Sequence, residues 1–198
     1  MVTEDAPGIT DATTDAESRV IDLLVLAFCA DPLSRWFFPD PAAYLEHYPT
    51  FIRRYGGRAF GAGTAHHTDD FGAAALWLPP DVFPDEPDLI ALLAETLSDR
   101  QRQEAWEVFE EIEDRRPTEP YWHLSHIGVD PTKQRQGLGS ALMKHALARV
   151  DRAGDVAYLE STNPENTALY ARFGFEAIGT IRADTMPPIT PMKREGRS

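Results

Sequence analysis

Three stretches of this chain carry residue types suited to chemistry. The first is Gln134-Arg135-Gln136-Gly137-Leu138-Gly139-Ser140. Glycines at 137 and 139 let a ligand approach the main chain without meeting a Cβ, and the unpaired N–H groups of a first helical turn point outward as donors. The helix dipole adds a partial positive charge, and Lys133 and Arg135 add whole ones, so a phosphate or pyrophosphate is the natural guest. A glycine-eased turn with nothing bound is the competing reading. The second stretch holds His123, Ser125 and His126, followed at a distance by Glu160. Either imidazole can take a proton near neutral pH. Alternation along a strand places His123 and Ser125 on one face and His126 on the other. Each histidine can equally be a hydrogen-bonded strand residue, and Glu160 can accept a proton or pair with a neighbouring base. In the third stretch Asn163 precedes Pro164, the place of a helix N-cap.

Elements that position these residues can be read around them. Tyr121 to Val129 is a strand stopped by Asp130-Pro131, and a helix runs from Gln136 to about residue 152 on Leu138, Leu142, Met143, Ala146, Leu147 and Val150. Val156 to Ser161 is the next strand, making a right-handed βαβ crossover. Pro164 to Phe173 is a short helix, and 175–183 with 189–194 a final strand pair. Upstream, residues 1–12 read as a flexible tail leading into a short strand, Thr13-Thr14-Asp15 as a cap, and Val20 to Phe28 as a helical face. Leu33 to Pro39 is an aromatic connection, either a core plug or a substrate wall. A helix runs from Pro41 to about Tyr55 and ends at Gly56-Gly57. Arg58–His66 and Phe71–Leu78 read as a hairpin, and 88–114 as a helix broken at Ser98-Asp99. The sheet is mixed, and all 198 residues are expected to form a single α/β domain.

Two familiar nucleotide motifs fit poorly. A dinucleotide fingerprint needs a small residue where Leu142 stands, although Glu160 lies at roughly the distance of a ribose-binding acid; a P-loop needs Gly-Lys-Ser/Thr. Gln134-x-x-Gly137-x-Gly139 after Val129-Asp130-Pro131 instead resembles the pyrophosphate loop of the GCN5-related N-acetyltransferases (GNAT). The block from Asn163 through Tyr170 to Gly174-Phe175 resembles that family's second acyl-CoA block. The resemblance is firm over 121–183 and loose over 58–80. Leu159-Glu160-Ser161-Thr162-Asn163-Pro164 and Pro191-Met192 place it nearest the puromycin acetyltransferase-like branch.

The resemblance implies a mostly antiparallel sheet with a central βαβ acyl-CoA-binding unit flanked by helices. It implies acetyl-CoA as the donor cosubstrate. Ile127, Gly128 and Val129 would give backbone groups to the pantetheine arm and acyl carbonyl, and the N–H groups of Arg135 to Ser140 would hold the pyrophosphate. Asn163 would touch CoA, and Tyr170 would stand near the sulfur as general acid, with His123, His126 or Glu160 as base. Asn166 stands where alanine is common in the family. Gly128 is consistent with a local bulge or with close packing.

Composition narrows the field. A net charge of −13 argues against a nucleic-acid surface. Residues 81–120 hold thirteen acidic and four basic side chains, a net of −9, whereas 131–152 hold five basic and one acidic, a net of +4. That basic stretch suits a polyanionic cofactor, and the acidic one is either a solvated helix face or the border of a site for a cationic amine. No metal is expected: His123-x-x-His126 and His66-His67 diverge on strands. The lone Cys29 is read as a core residue, no membrane span is legible, and a cytoplasmic protein is expected. The expected activity is acetyl transfer to a primary amine of a small molecule, in a ternary complex. A protein amine is the second acceptor, and a non-catalytic acyl-CoA-binding module or a dinucleotide enzyme the alternatives. The acceptor pocket is expected near Trp36-Phe37-Phe38, Trp77 and the 81–120 helices. The sequence leaves the oligomeric state open, a homodimer included.

Overall fold

Seven strands form one sheet in a computed structural model that describes residues 7–196. They are β1 (Ile9–Asp11), β2 (Ala65–Thr68), β3 (Ala73–Leu78), β4 (Tyr121–Val129), β5 (Val156–Ser161), β6 (Glu176–Ala177) and β7 (Thr190–Arg194), in the spatial order β1-β2-β3-β4-β5-β7-β6. Every pairing is antiparallel except β4 with β5. A parallel pair needs a crossover, and here it is the amphipathic α-helix Leu138–Ala153.

Among the described residues the α-helices are α1 (Glu17–Ala27), α2 (Pro32–Phe37), α3 (Pro41–Gly56), α4 (Arg58–Ala62), α5 (Glu86–Thr96), α6 (Asp99–Arg115), α7 (Leu138–Ala153) and α8 (Pro164–Arg172). Both faces of the sheet are covered, so β3 is apolar at every position rather than alternating. Ala74, Leu76 and Leu78 join the core made with α1, α3, α5 and α6, while Ala73, Ala75 and Trp77 join the core made with α7. Ser98 caps α6 in a reciprocal box with Gln101, which explains the break between α5 and α6. No helix among the described residues is long and apolar enough to cross a membrane.

Several sequence expectations are corrected. Residues 58–62 are helical rather than extended, because Gly57 keeps helical angles and the chain turns only at the left-handed Gly63. Pro32–Phe37 is not an irregular connection but a helix capped by Asp31, whose carboxylate accepts from Ser34 N–H. Phe37 and Phe38 are buried as a plug. Thr13 makes no side-chain cap; the chain enters α1 through a 3-10 turn, Thr14–Ala16. Of the expected tail, residues 1–6 lie outside the described residues, while Ile9–Asp11 pairs with β2 and Ala12 is buried. The last strand pair is short: Gly179 adopts a φ of 148°, and only the Ile181–Ile189 bridge lies beyond it.

The most consequential correction concerns β4. Leu76 pairs with His126 and Trp77 with Leu124, so Ser125 is an extra residue, a bulge. It resets the alternation: Trp122, Leu124, Ile127 and Val129 pack towards α7, and His123 and His126 both meet Tyr55 of α3 on the opposite face. Gly128 is therefore not the bulge. A Cβ there would lie 2.7 Å from Ala27 Cβ and 2.9 Å from Leu24 Cδ2, so its glycine lets α1 rest on the sheet. Gly128→Ala is expected to cost about 1–3 kcal/mol by overpacking. Gly61→Ala, where a Cβ meets nothing within 4 Å, is expected to gain about 0.5–1 kcal/mol from helix propensity. Equal urea midpoints for the two variants would show that α1 does not rest on Gly128.

Candidate functional site

The parallel pair β4–β5 is bonded only from Tyr121–His123 to Val156–Tyr158, after which the strands part. Beyond His123 the edge of β4 towards β5 is unbonded in this pairing, so its backbone donors and acceptors face an opening. A cavity of about 430 Å³ occupies it, floored by Leu124 to Ile127 and by Leu159, Glu160 and Thr162. Its walls come from Leu33, Ser34 and Phe37 of α2, the aromatic face of α3, helices α5 and α6, Tyr170, and Met186 and Ile189 of the 184–191 turn. That turn is fixed by the buried Glu104, which accepts from the N–H groups of Thr185 and Met186. Carboxylates of Asp31, Glu86, Glu110, Glu113 and Glu160 border the cavity against the single guanidinium of Arg116. Three acidic residues of the 81–120 stretch thus reach the cavity.

Glu160 organises its inner end. One of its oxygens lies 2.7 Å from His123 Nε2 and accepts from Tyr55 O–H at 3.2 Å, and the other stands 4.0 Å from Arg116 Nε. Burial alone raises the carboxyl pKa, but His123, Arg116 and the Tyr55 hydroxyl outweigh it and hold it below the usual carboxylate range. With the carboxylate ionised, His123 donates from Nε2, so the remaining lone pair of its ring is on Nδ1. Burial and the Glu160 charge push the Tyr55 phenol well up, so it stays a donor.

Tyr55 reaches this position because Gly56 has no side chain: a Cβ there would lie 2.4 Å from Ser125 Oγ. The Tyr55 ring then sits 5.6 Å from His123 and 5.8 Å from His126, edge-on to both. His126 is different in kind. Its Nδ1 is buried without a partner, and burial, aided by His123, lowers its pKa to about 3. His126 is therefore neutral at physiological pH.

Tyr170, 7% exposed, lines the same cavity from α8. Burial and then the Asp31 charge raise its phenol above the ordinary value, keeping it protonated. Thr162 donates to Asp31 at 2.8 Å, tying the end of β5 to the α2 cap. Asn163 uses its side chain to cap α8, accepting from Glu165 N–H at 3.0 Å. Trp77 does not border the cavity; it is buried on the α7 face.

The loop after β4 has the backbone expected of an anion cradle. Arg135 and Gly137 adopt φ values of 63° and 84°. The helix begins at Leu138, two residues later than its apolar spacing indicates, and no side chain caps it at Gly137. The N–H groups of Leu138, Gly139 and Ser140 therefore open outward. At Gly139 a Cβ would meet nothing nearer than 3.7 Å, so neither packing nor angle demands the glycine there. A helical glycine costs about 0.5–1 kcal/mol relative to alanine, and no contact within the protein offsets that cost at Gly139. Lys133 is committed elsewhere, 2.7 Å from Asp70, and holds that carboxyl far below its usual range. Arg135 is left as the exposed cation of the loop. These residues fit a pyrophosphate-bearing cosubstrate.

Residues 108–195 match the family model of the acetyltransferase (GNAT) domain. The chain is 40% identical over 67 residues to the ribosomal protein bS18-alanine N-acetyltransferase of Escherichia coli K12, a match covering 32% of this chain and 45% of that one. The chain thus spans about half the length of the curated relatives it matches. Its fold is that of a Corynebacterium glutamicum structure described as histone acetyltransferase HPA2 and related acetyltransferase, with a TM-score of 0.70 at 24% identity over 98% of both chains. It is also that of an agmatine N-acetyltransferase, at 0.68 and 17% identity over 96% of this chain and 100% of that one. A Drosophila melanogaster polyamine N-acetyltransferase gives 0.65 and 17% over the same shares.

Glu160→Gln is expected to destabilise the protein at pH 7 by about 3 kcal/mol, because it breaks a buried charge cluster from one side. The folded pKa of Glu160 lies below the unfolded value of about 4.3. Its stabilisation is therefore complete above the unfolded value and fades as pH falls towards the folded one. Urea unfolding of both proteins should show a gap that is full at pH 7 and shrinks below about pH 5; a gap independent of pH would contradict an ionised Glu160.

Proposed function

We propose that this protein transfers the acetyl group of acetyl-CoA to a primary amine of a small molecule, by direct attack in a ternary complex. One observation carries the reading: strand β4 runs from the floor of a carboxylate-bordered cavity, through the 3-10 turn Pro131–Lys133, to an uncapped, glycine-bearing helix start. An anionic cosubstrate is favoured at one end and a cationic amine at the other.

Acetyl-CoA, when bound, supplies a thioester carbonyl for attack. The amide N–H groups of Leu138 to Ser140 and the Arg135 side chain bind phosphate, and the unbonded edge of β4 at Ile127 to Val129 orients the extended arm. Carboxylates at Glu86, Glu110 and Glu113 draw in an ammonium. An ammonium must lose a proton before it can attack, and Glu160, which borders the cavity and is held from behind by His123, is the proton acceptor beside the parting of the strands. Glu160 fixes the tautomer and orientation of His123, as a carboxylate does for a catalytic imidazole. Tyr170, kept protonated, supplies the proton to the departing thiolate. His126, held neutral and poorly basic, is the less suited base.

The cavity walls favour a small acceptor, since α2, α5, α6 and the 184–191 turn surround it, and neighbours named for agmatine and polyamines share the fold. A protein or peptide amine is the second reading, favoured by the match to the bS18-alanine enzyme. The affiliation with the puromycin acetyltransferase-like branch rests on the Leu159–Pro164 run and Pro191-Met192.

Calorimetric titration should show tight binding of acetyl-CoA and none of NAD or ATP. Tyr170→Phe is expected to lower turnover, followed as thiol release with an amine panel, at least tenfold while acetyl-CoA affinity is unchanged, a loss of about 1.4 kcal/mol of transition-state stabilisation. Unchanged turnover in that variant would remove Tyr170 as the acid, and absence of acetyl-CoA binding would remove the reading altogether. Gly137→Ala, strained at its φ of 84°, should weaken acetyl-CoA binding with little effect on the acceptor KM; equal loss in both would point to a general folding defect.

A further inference from the structure

None of the residues bordering the cavity belongs to a second cluster, on the β1–β2 side of the sheet, where three elements bring metal-ligand side chains together. Asp11 of β1 and His66 of β2 are cross-strand partners, and His145 of α7 lies against them. One Asp11 oxygen lies 2.8 Å from His66 Nδ1 and 3.4 Å from His145 Nε2, and the donor atoms of all three lie within 4.8 Å of one another. We infer that Asp11, His66 and His145 form a binding site for a divalent transition-metal ion of the zinc type.

Two imidazoles and one carboxylate are the donor set of borderline ions such as Zn²⁺. Bonds of about 2.0–2.1 Å at a tetrahedral angle separate two donors by about 3.3 Å, and the observed separations from Asp11 lie on either side of that. His66 is held rigidly at 5% side-chain exposure, while Asp11 and His145, at 64% and 39%, are free to adjust and leave the ion a path from solvent. The fourth position falls to water. Arg149 is the cation that also faces His66; its guanidinium donates to the Gly63 carbonyl at 3.1 Å, and its charge moderates the affinity without filling the site. With both imidazoles present at a ring separation of 4.7 Å, a single ion can take a lone pair from each as well as the shared carboxylate oxygen. The ion would pin the edge strand β1 to β2 and to the helix whose first turn forms the anion cradle.

The test uses the untagged full chain, stripped with EDTA and titrated with Zn²⁺ alone. One equivalent is expected to bind, with the melting temperature rising about 5–10 °C at a hundredfold excess over the dissociation constant. Co²⁺ should give the visible absorption of a four-coordinate site. His145→Ala and Asp11→Asn, both exposed positions, should keep the far-ultraviolet circular dichroism and lose at least tenfold in Zn²⁺ affinity. Saturable binding that is undiminished in both variants would place the ion elsewhere and overturn the assignment, as would the absence of saturable binding to the unaltered protein.

Discussion

Strand β4 is paired with β3 from His123 to Val129 but with β5 only from Tyr121 to His123, and the site depends on that inequality. A strand between two neighbours normally has no backbone groups to offer. Here the βαβ crossover fixes β5 beside β4 at Tyr121–His123, and the right-handed twist then carries β5 away towards β7. The extra residue at Ser125 adds local twist and bend where the partner is lost. An interior strand thereby behaves as an edge strand, open to an extended ligand that completes its ladder, without exposing the sheet to other chains.

The same bulge sets the chemistry. By resetting alternation it brings His123 and His126 to the face covered by α3, and Gly56 lets that helix come close enough for Tyr55 to reach Glu160. A carboxylate at 8% side-chain exposure is costly unless it is paired, and Glu160 has a histidine, a tyrosine and an arginine around it. The arrangement separates two imidazoles that look alike in sequence. His123 has a charged partner and a defined tautomer; His126 has neither and is held neutral.

Much of the fold was legible because its signals are local: the β4–α7–β5 unit, the Ser98 break and α8 after Pro164 follow from spacing, caps and prolines. The glycine loop was legible for the same reason, since left-handed angles and an uncapped helix start are properties of a few consecutive residues. Features created by contact between distant segments were not. Alternation assumes an unbroken ladder, so the sequence hides the Ser125 bulge and places His123 and His126 on opposite faces. Gly56 was read as the end of a helix rather than as a contact surface. Tyr55 and Arg116 carried no motif, although Tyr44, Tyr48, Phe51 and Tyr55 recur on one face of α3 as a stacked ladder that points to an aromatic wall. His66 was discounted because His67 diverges from it, yet its neighbours in space, Asp11 and His145, are 55 and 79 residues away.

Charge is divided along the molecule as the proposed reaction requires. An acidic protein repels a polyanion unless positive potential is local, and here it is confined to a helix start with Arg135, since Lys133 is neutralised by Asp70. On the proposed function the main-chain donors of the loop would do most of the binding, since main-chain donors recognise phosphate by geometry as well as by charge. At the other end of β4 the excess of carboxylates over Arg116 concentrates cations. An amine so concentrated arrives protonated and cannot attack, so the feature that attracts the acceptor also creates the need for a base. On the proposed function Glu160 is the group placed to meet that need, because its partners inside the protein hold it ionised without its being matched to the incoming ammonium.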